Sequence, residues 1–256
     1  LPSAFQNMSV VAPYDFDGDG DMDVFIGSRS VVGVYGVDPK QLFLENTGNG
    51  VFVDATERLA YDTKDAGMVT DALWLDIDED GKADLITVSE WGAPLVYKNS
   101  GRRLSLKETS LSDKTGWWNT IAAVDIDNDG DMDLVLGNEG ENLHYLPSEQ
   151  RPMSMYINDF DNNGTIEQIT TMHKNGKDYP LHQKKEITAQ MSSLKKQNLK
   201  TSDYANRYID EIFSKESLQN AIKKSVKYAQ SMIAVNDGKG NFSLKPLPYQ
   251  TQLSCV

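Results

Sequence analysis

The chain is poor in the residues that commonly carry catalysis or covalent cross-links. Its 256 residues include one cysteine, Cys255, and three histidines, His144, His173 and His182. A single cysteine excludes an intrachain disulfide, and on a strand-like stretch we expect a buried, unreactive thiol. The sequence suggests no Ser/His/Asp or Cys/His arrangement and has no glycine-rich phosphate loop. It therefore predicts no catalytic centre.

Positive charge is also scarce. The 38 acidic residues outnumber the 25 basic residues, which gives a formal net charge of -13 at pH 7. This balance argues against nucleic acid and against an anionic membrane surface as partners. No apolar run is long enough to span a membrane, and the sequence pattern predicts no signal peptide. We therefore expect no membrane insertion, and we interpret the chain as a mature or excised segment.

In place of these features the sequence has an acidic loop that recurs four times. Oxygen-bearing side chains stand at positions one, three, five and nine of every copy, and glycine stands at position six. Position seven varies in chemistry, so we expect it to contribute its backbone carbonyl. The predicted metal-site residues are Asp15, Asp17, Asp19, Asp21 and Asp23 in the first loop; Asp76, Asp78, Asp80, Lys82 and Asp84 in the second; Asp125, Asp127, Asp129, Asp131 and Asp133 in the third; and Asp159, Asp161, Asn163, Thr165 and Glu167 in the fourth.

The spacing of these carboxylates predicts a hard cation. Acidic side chains two residues apart in a tight loop converge on one point, which is unfavourable unless a cation neutralises them. Glycine at position six allows the positive φ that folds the loop back. Ligands that are all oxygen favour Ca²⁺ over Mg²⁺, and the lack of histidine or cysteine argues against zinc. We predict three to four bound calcium ions, with the fourth loop weakest because Asn163 and Glu167 replace aspartate.

Two other interpretations of the loops are less favourable. A single acidic turn could equally be a solvated loop, but four copies with shared flanks favour a metal site. An EF-hand requires glutamate at position twelve and a helix on each side. Position twelve holds no acidic residue in any copy, and the flanking residues, such as 24–27 and 85–88, are strand-like. The loops are therefore predicted to join β-strands.

Hairpin patterns complete each loop and its strands into a four-stranded unit. In residues 41–53, apolar residues alternate along the chain on both sides of an Asn/Gly turn, which predicts a β-hairpin. Residues 95–107 follow the same pattern. The third hairpin, near residues 143–147, lacks the turn, and we assign the late hairpin at residues 233–242 to the fourth unit. Radial repetition of such units predicts an all-β fold, a β-propeller with an α-helical insertion. The predicted blades cover about residues 8–60, 61–112, 113–150 and 151–256, and the helical insertion covers residues 180–230.

The insertion differs from the blades in both periodicity and charge. Apolar residues at helical spacing predict two or three helices, one capped by Thr201 or Ser202 and one that starts at Ser214 and continues to Val226. Residues 171–230 carry twice as many basic as acidic side chains. These lysines are interpreted as a solvated helix face, and the alternative is a docking patch for an acidic partner.

The two ends of the chain resemble one another, since residues 247–256 are similar to residues 1–10. The chain thus stops at the phase of the repeat at which it starts. We expect a segment of about four blades from a larger propeller, with the remainder of the parent propeller as one partner. Weak calcium sites suit surroundings in which calcium is abundant, outside the cytosol.

The acidic loops, together with Asn-x-Gly-x-Gly-x-Phe hairpins at Asn46 and Asn236, resemble FG-GAP/VCBS repeats. These repeats build the calcium-binding β-propeller of integrin α-subunits and of many secreted bacterial proteins. The resemblance implies a calcium-binding propeller in an extracellular, cell-surface or periplasmic location. The insertion that follows residues 174–180 resembles that of bacterial propellers associated with the ASPIC/UnbV domain.

Two functions remain open at this point. The first is a non-catalytic calcium-binding module for extracellular or cell-surface adhesion, ligand binding or assembly, with an unidentified protein or glycan ligand. The alternative is a polysaccharide-binding or polysaccharide-lyase-type propeller. Its stacking and carboxylate-reading residues would be Trp74, Trp91, Trp117, Trp118, Lys98, Arg102 and Arg103. Blade packing is the favoured role for these tryptophans.

Overall fold

A computed structural model describes residues 6–197 and 200–255 of the chain, with the side chains of residues 196 and 197 excepted. It forms four antiparallel sheets of four strands, the architecture of β-propeller blades, and one sheet gains a short fifth strand. The predicted all-β fold is confirmed. The chain divides into two compact units, one made of residues up to 33, 38–146 and 228 onwards, the other of residues 34–37 and 147–227. Residues 1–5 and 256, used in the comparison of the chain ends, lie outside the described residues.

The first sheet has its strands in sequence order, and the first acidic loop joins its first two strands. A hairpin closes it at an Asn/Gly turn, where Gly48 and Gly50 adopt φ angles of 91° and 72° that favour glycine. A short helix and a 3₁₀ turn at Tyr61–Asp65 lead to the next sheet. The elements are β1 (Gln6–Tyr14), β2 (Asp23–Val31), β3 (Leu42–Asn46), β4 (Phe52–Asp54) and α1 (Thr56–Leu59).

The second sheet repeats this plan. Its second acidic loop joins the first two strands, and an Asn-Ser-Gly turn at residues 99–101 joins the last two. The strands are β5 (Met68–Leu75), β6 (Asp84–Gly92), β7 (Leu95–Asn99) and β8 (Leu104–Lys107), and β9 (Gly116–Trp117) pairs with β6.

The next two strands, β10 (Thr120–Val124) and β11 (Asp133–Gly137), flank the third acidic loop. The chain then enters the second unit, where the fourth loop joins β12 (Met153–Asn158) to β13 (Glu167–Lys174). β14 (Lys177–Pro180) follows as a hairpin partner of β13, and β15 (Ile222–Val226) pairs with the other edge of β12.

Short helices occupy the chain between β14 and β15, but the described residues contain four where two or three are predicted. The predicted cap at Thr201 or Ser202 is wrong, because Lys200 is the N-cap of that helix and no side chain caps it. Ser214 caps the last of them, since its side chain accepts a hydrogen bond from the Ser217 amide at 3.1 Å. That helix was expected to run on through Val226, and this is wrong because residues 222–226 instead supply the edge partner of β12. The helices are α2 (Lys184–Gln190), α3 (Leu194–Gln197), α4 (Thr201–Ala205) and α5 (Lys215–Asn220), with a 3₁₀ turn at Ile209–Glu211.

The third sheet is completed only after the second unit. β16 (Met232–Asn236) pairs with β11, with Val135 opposite Ile233, and β17 (Phe242–Pro246) closes the hairpin. The prediction that this hairpin belongs to the fourth loop is therefore wrong, and the boundary placed near residue 150 does not end the third sheet. Loop-closure entropy rises only slowly with loop length, so a whole unit can be inserted between two paired strands.

The C-terminal residues also differ from expectation. A 3₁₀ turn at Tyr249–Leu253 replaces the strand-like conformation expected there. Cys255 is exposed rather than buried, and its Sγ accepts a hydrogen bond from Asn119 Nδ2 at 2.9 Å. No helix in residues 6–197 and 200–255 is both long and apolar enough to cross a membrane.

Apolar side chains from the acidic loops anchor them to the sheets. The residue at position two is Phe16, Ile77 or Phe160 in three of the loops, and each is buried in a different hydrophobic cluster. Ile126, the corresponding residue of the third loop, is 39% exposed. Burial of one large side chain at the start of a loop stabilises its position by about 1.5–3 kcal/mol.

Candidate metal centres

Each loop is folded around its first carboxylate. The amide of the glycine at position six donates to the side chain at position one, and the amide at position seven donates to the side chain at position five. The distances from glycine to aspartate are 3.1 Å for Gly20 and Asp15, 2.8 Å for Gly81 and Asp76, 3.3 Å for Gly130 and Asp125, and 2.8 Å for Gly164 and Asp159. Backbone amides in a loop lack the regular partners of a helix or sheet, and these carboxylates supply acceptors for them. The four loops therefore share one backbone design.

Position four also adopts a left-handed conformation in all four loops, a feature that is not part of the predicted motif. The residues are Gly18, Glu79, Asn128 and Asn162, with φ angles of 79°, 56°, 63° and 57°. Glycine and asparagine tolerate this conformation, so their presence at position four was an available signal. Glu79 is the one residue of the four that does not favour it.

The carboxylate at position nine ties the loop to the rest of its sheet. Asp23, Asp84, Asp133 and Glu167 are all buried. In the third loop one oxygen of Asp133 accepts from the amide of Ile126, and the other accepts from the amide of Asn236, both at 2.9 Å. Asp23 binds the Phe16 and Asn46 amides in the same way. In the first three loops, position nine therefore joins the loop to the hairpin of the same sheet, and in the fourth loop Glu167 accepts from the Phe160 amide.

The predicted ligands converge in every loop. Three carboxylates in each place one oxygen atom within 4.8 Å of one another. The sets use positions one, three and five in the first two loops and positions one, three and nine in the last two. They are Asp15, Asp17 and Asp19; Asp76, Asp78 and Asp80; Asp125, Asp127 and Asp133; and Asp159, Asp161 and Glu167. The predicted residues outside these sets are those of position seven and Asp23, Asp84, Asp129 and Asn163.

Three of the loops leave a buried carboxylate oxygen without a hydrogen-bond partner in the described chain. These atoms are Asp21 Oδ1 in the first loop, Asp131 Oδ1 in the third and Asp161 Oδ1 in the fourth. A charged oxygen in this situation is costly unless a cation neutralises the site. Calcium, which takes oxygen ligands from carboxylates and carbonyls, fits the donor set of these loops.

All charged side chains within the third loop are aspartates. Partial burial, reinforced by Asp129, Asp133 and Asp127, raises the pKa of Asp131 to about 6. Burial and the neighbouring aspartates also raise the pKa of Asp127, and in the first loop they raise that of Asp21. A bound cation would remove the repulsion that raises these pKa values.

The second loop has a different charge balance because Lys98 enters it from β7. The Lys98 ammonium lies 2.5 Å from Asp78 Oδ1, 3.0 Å from Asp80 Oδ2 and 3.4 Å from Asp84 Oδ1. The hydrogen bond from Lys98 lowers the pKa of Asp80. Burial dominates at Asp84 and raises its pKa to about 6. No carboxylate oxygen of this loop is both buried and unpartnered in the described residues.

The residues considered for glycan stacking are mostly packed. Trp118 is fully buried and Trp91 is 8% exposed, in edge-to-face contact with Trp117. Trp74 stacks on Tyr14 at 4.9 Å between ring centroids. Arg103 pairs with Asp62, Arg102 is exposed, and Lys98 is engaged in the second loop.

A polar cluster in the second unit was not anticipated. Asp178 accepts from the Tyr156 hydroxyl at 2.6 Å and from Lys223 Nζ at 3.0 Å, while His173 Nδ1 lies 2.7 Å from its other oxygen. The four side chains come from β12, β13, β14 and β15. Residues far apart in sequence build this cluster, so no local motif could reveal it. It joins all four strands of the sheet.

The second unit also has a polar cavity of about 330 Å³ next to the fourth loop. It is lined mainly by amide, hydroxyl and carboxyl side chains of the loop and of α5. The lining residues are Asn158, Asp159, Phe160, Asn162, Ser214, Glu216, Ser217 and Asn220.

Comparison with known families agrees with this geometry. The family profile described as FG-GAP-like repeat matches residues 15–87 and 76–136. Both matches begin at position one of an acidic loop and end at position twelve of the next loop. This part of the chain is therefore similar to FG-GAP-like repeats. Such repeats form β-propeller modules for binding that are generally non-catalytic and typically extracellular or at the cell surface. No curated protein matches the chain.

Proposed function

We propose that the chain is a non-catalytic, calcium-binding β-propeller module that presents a binding surface outside the cytosol. The observation that carries this proposal is the convergence of three carboxylates in each loop within 4.8 Å. The buried, unpartnered oxygens of Asp21, Asp131 and Asp161 support a cation in the first, third and fourth loops.

Calcium in these loops would act on the fold, not on a substrate. The ion would neutralise carboxylates that otherwise repel one another, and the buried residue at position nine would link the ordered loop to the next hairpin. At about 100-fold excess over its dissociation constant, each ion would stabilise the folded state by about 2.7 kcal/mol. Several such sites would rival the net stability of about 5–15 kcal/mol of an ordinary domain.

Thermal unfolding in calcium and in excess chelator tests the proposal. We expect a large fall in melting temperature on chelation, together with about three or four bound calcium ions per chain. Magnesium at equal concentration is the control, because its stricter octahedral geometry suits these loops less well. An unchanged melting temperature with no bound calcium would contradict the proposal.

We further propose that the partner is a protein or glycan ligand at the cell surface, bound in adhesion or assembly. The similarity to FG-GAP-like repeats supports a binding role.

The helical insertion supports a narrower assignment to bacterial propellers of the ASPIC/UnbV-associated type. Labelled protein added to intact bacterial cells tests this proposal. Saturable binding that chelation abolishes is expected, and binding indifferent to both chelation and unlabelled competitor would contradict it.

Polysaccharide binding is the second candidate, and the cavity beside the fourth loop favours it. Amide and hydroxyl groups such as Asn158, Ser214 and Asn220 line this cavity, and such groups can pair with sugar hydroxyls. A glycan array probed with the wild type and with Asn220→Leu would test it. Loss of a specific glycan signal in the variant would support this candidate, and the absence of any signal from the wild type would contradict it.

A further inference from the structure

Lys98 brings a positive charge into the second acidic loop. Its ammonium contacts carboxylates at positions three, five and nine, namely those of Asp78, Asp80 and Asp84. An ammonium has three N–H donors, so three surrounding carboxylates match its hydrogen-bonding capacity. The Lys98 side chain is 28% exposed, which places it partly inside the loop.

The register of the sheet explains why Lys98 reaches this position. Leu85 pairs with Tyr97, so the next step along the two strands places Lys98 beside Asp84. In the first sheet Val24 pairs with Leu44, and the next step places Glu45 beside Asp23. In the third sheet Leu134 pairs with Ala234, and the next step places Val235 beside Asp133. The three equivalent residues are therefore Lys98, Glu45 and Val235.

The other three loops differ from the second in the ion pairs and in the buried oxygens that the described residues show. The ion pairs found at loop carboxylates in the described residues are those of Lys98 with the second loop. The first, third and fourth loops each have a buried carboxylate oxygen without a hydrogen-bond partner. The second loop, in contrast, contains the Lys98 ammonium and has no such unpartnered oxygen among its described residues. The unpartnered oxygens and the positions of the lysines are separate observations, and both distinguish the same loop.

We propose that the Lys98 ammonium is the permanent cation of the second loop, which therefore binds no calcium while the other three loops bind one ion each. Calcium requires six to eight oxygen ligands, and it could enter only by displacing an ammonium held by three carboxylates. The second loop would keep its conformation at any calcium concentration, whereas the first, third and fourth would depend on the ion. The inference rests on the proposed calcium binding of the other loops.

Reciprocal variants of the full chain test this inference, with bound calcium counted by equilibrium dialysis against calcium alone. Lys98→Met keeps the aliphatic stem and removes the charge, so the count is expected to rise from three ions to four. Val235→Lys places an ammonium at the equivalent position of the third sheet, so the count is expected to fall to two. Lys82→Met, the matched control, removes the other lysine of the second loop and is expected to leave three.

The outcomes separate this inference from the proposed function. Four ions in both the wild type and Lys98→Met would overturn the inference and leave the proposed function intact. A wild type without calcium and a Lys98→Met variant with one ion would support the inference and overturn the proposed function. If Lys98→Met does not fold, the Val235→Lys count alone decides, because an unchanged count of three ions would show that an ammonium there cannot replace calcium.

Discussion

The second and third loops share a backbone and differ in the source of their positive charge. In both, the glycine amide binds the first aspartate and a buried aspartate at position nine binds the hairpin. The second loop receives Lys98 from its own sheet, whereas Val235 stands at the equivalent place beside the third. The acidic motif is therefore common to both loops, and in our proposal a residue on the neighbouring strand determines which cation neutralises each one.

The presence of Lys98 in the second loop alone is reflected in the pKa values of the aspartates at the two loops. Asp80 has a lowered pKa because Lys98 donates a hydrogen bond to it. Asp131 has a pKa raised to about 6 by partial burial and by surrounding aspartates. The chain itself thus supplies positive charge to the second loop, and we propose that the third takes its cation from solution.

The largest effect that we expect is a loss of calcium-dependent stability when a ligand of the third loop is removed. Asp127→Ala removes a ligand of the third loop, so we expect a loss of about 2.7 kcal/mol of stability at calcium concentrations of about 100 times the dissociation constant. Urea unfolding in calcium and in chelator measures this loss, which should disappear in chelator.

The matched variant in the second loop is Asp78→Ala. It weakens a partly exposed ion pair with Lys98, which is worth about 0–1 kcal/mol, and it should leave the calcium response unchanged. A calcium response reduced as much by Asp78→Ala as by Asp127→Ala would break the comparison.

A smaller effect concerns pH, measured in excess chelator. The folded pKa of Asp131 lies above its ordinary value of 3.8, so its contribution to stability is present below that value and is lost as pH rises through about 6. Asparagine does not ionise, so Asp131→Asn does not lose stability in this way. The difference in melting temperature, variant minus wild type, should therefore increase from pH 4 to pH 7.

Asp80→Asn should behave in the opposite way. The folded pKa of Asp80 is lowered, so its contribution is present above the ordinary value of 3.8 and is lost as pH falls through the folded pKa. The melting temperature of Asp80→Asn relative to wild type should therefore fall as pH rises from about 2 to 5. Shifts of the same sign in both variants would contradict the charge difference between the loops.

The smallest expected effect concerns position four. Glu79 has a φ of 56°, where the third loop has Asn128. Asparagine is better suited to this left-handed conformation, so Glu79→Asn should stabilise the chain by about 0.5–1 kcal/mol. Urea unfolding in chelator measures the change, and Asn128→Glu, the reverse substitution, should destabilise by a similar amount. A destabilising Glu79→Asn would show that Glu79 contributes contacts that outweigh its backbone conformation.

Local patterns in the sequence predicted the acidic loops and their strands, because the loop spacing and the alternation of apolar residues are confined to short stretches. The converging carboxylates are the residues that the motif indicated. The role of Lys98 was missed because it depends on register between β6 and β7. From the sequence, Lys98 was considered only as a reader of glycan carboxylates.

The misplaced hairpin has a similar cause. Residues 233–242 follow the fourth loop in sequence, but β16 pairs with β11 from before the second unit. Both possible pairings place similar alternating strands side by side, so periodicity alone cannot choose between them. The Asn236 amide bound to Asp133 identifies the correct sheet, and that contact exists only in three dimensions.

The most direct test of the account is a crystal structure of the chain grown in calcium, with anomalous scattering used to locate the ions. The account predicts one peak in each of the first, third and fourth loops, with oxygen ligands at about 2.3–2.6 Å, and Lys98 in place of an ion in the second. Acidic loops without peaks would contradict calcium binding. A peak in the second loop with Lys98 displaced would contradict the permanent cation.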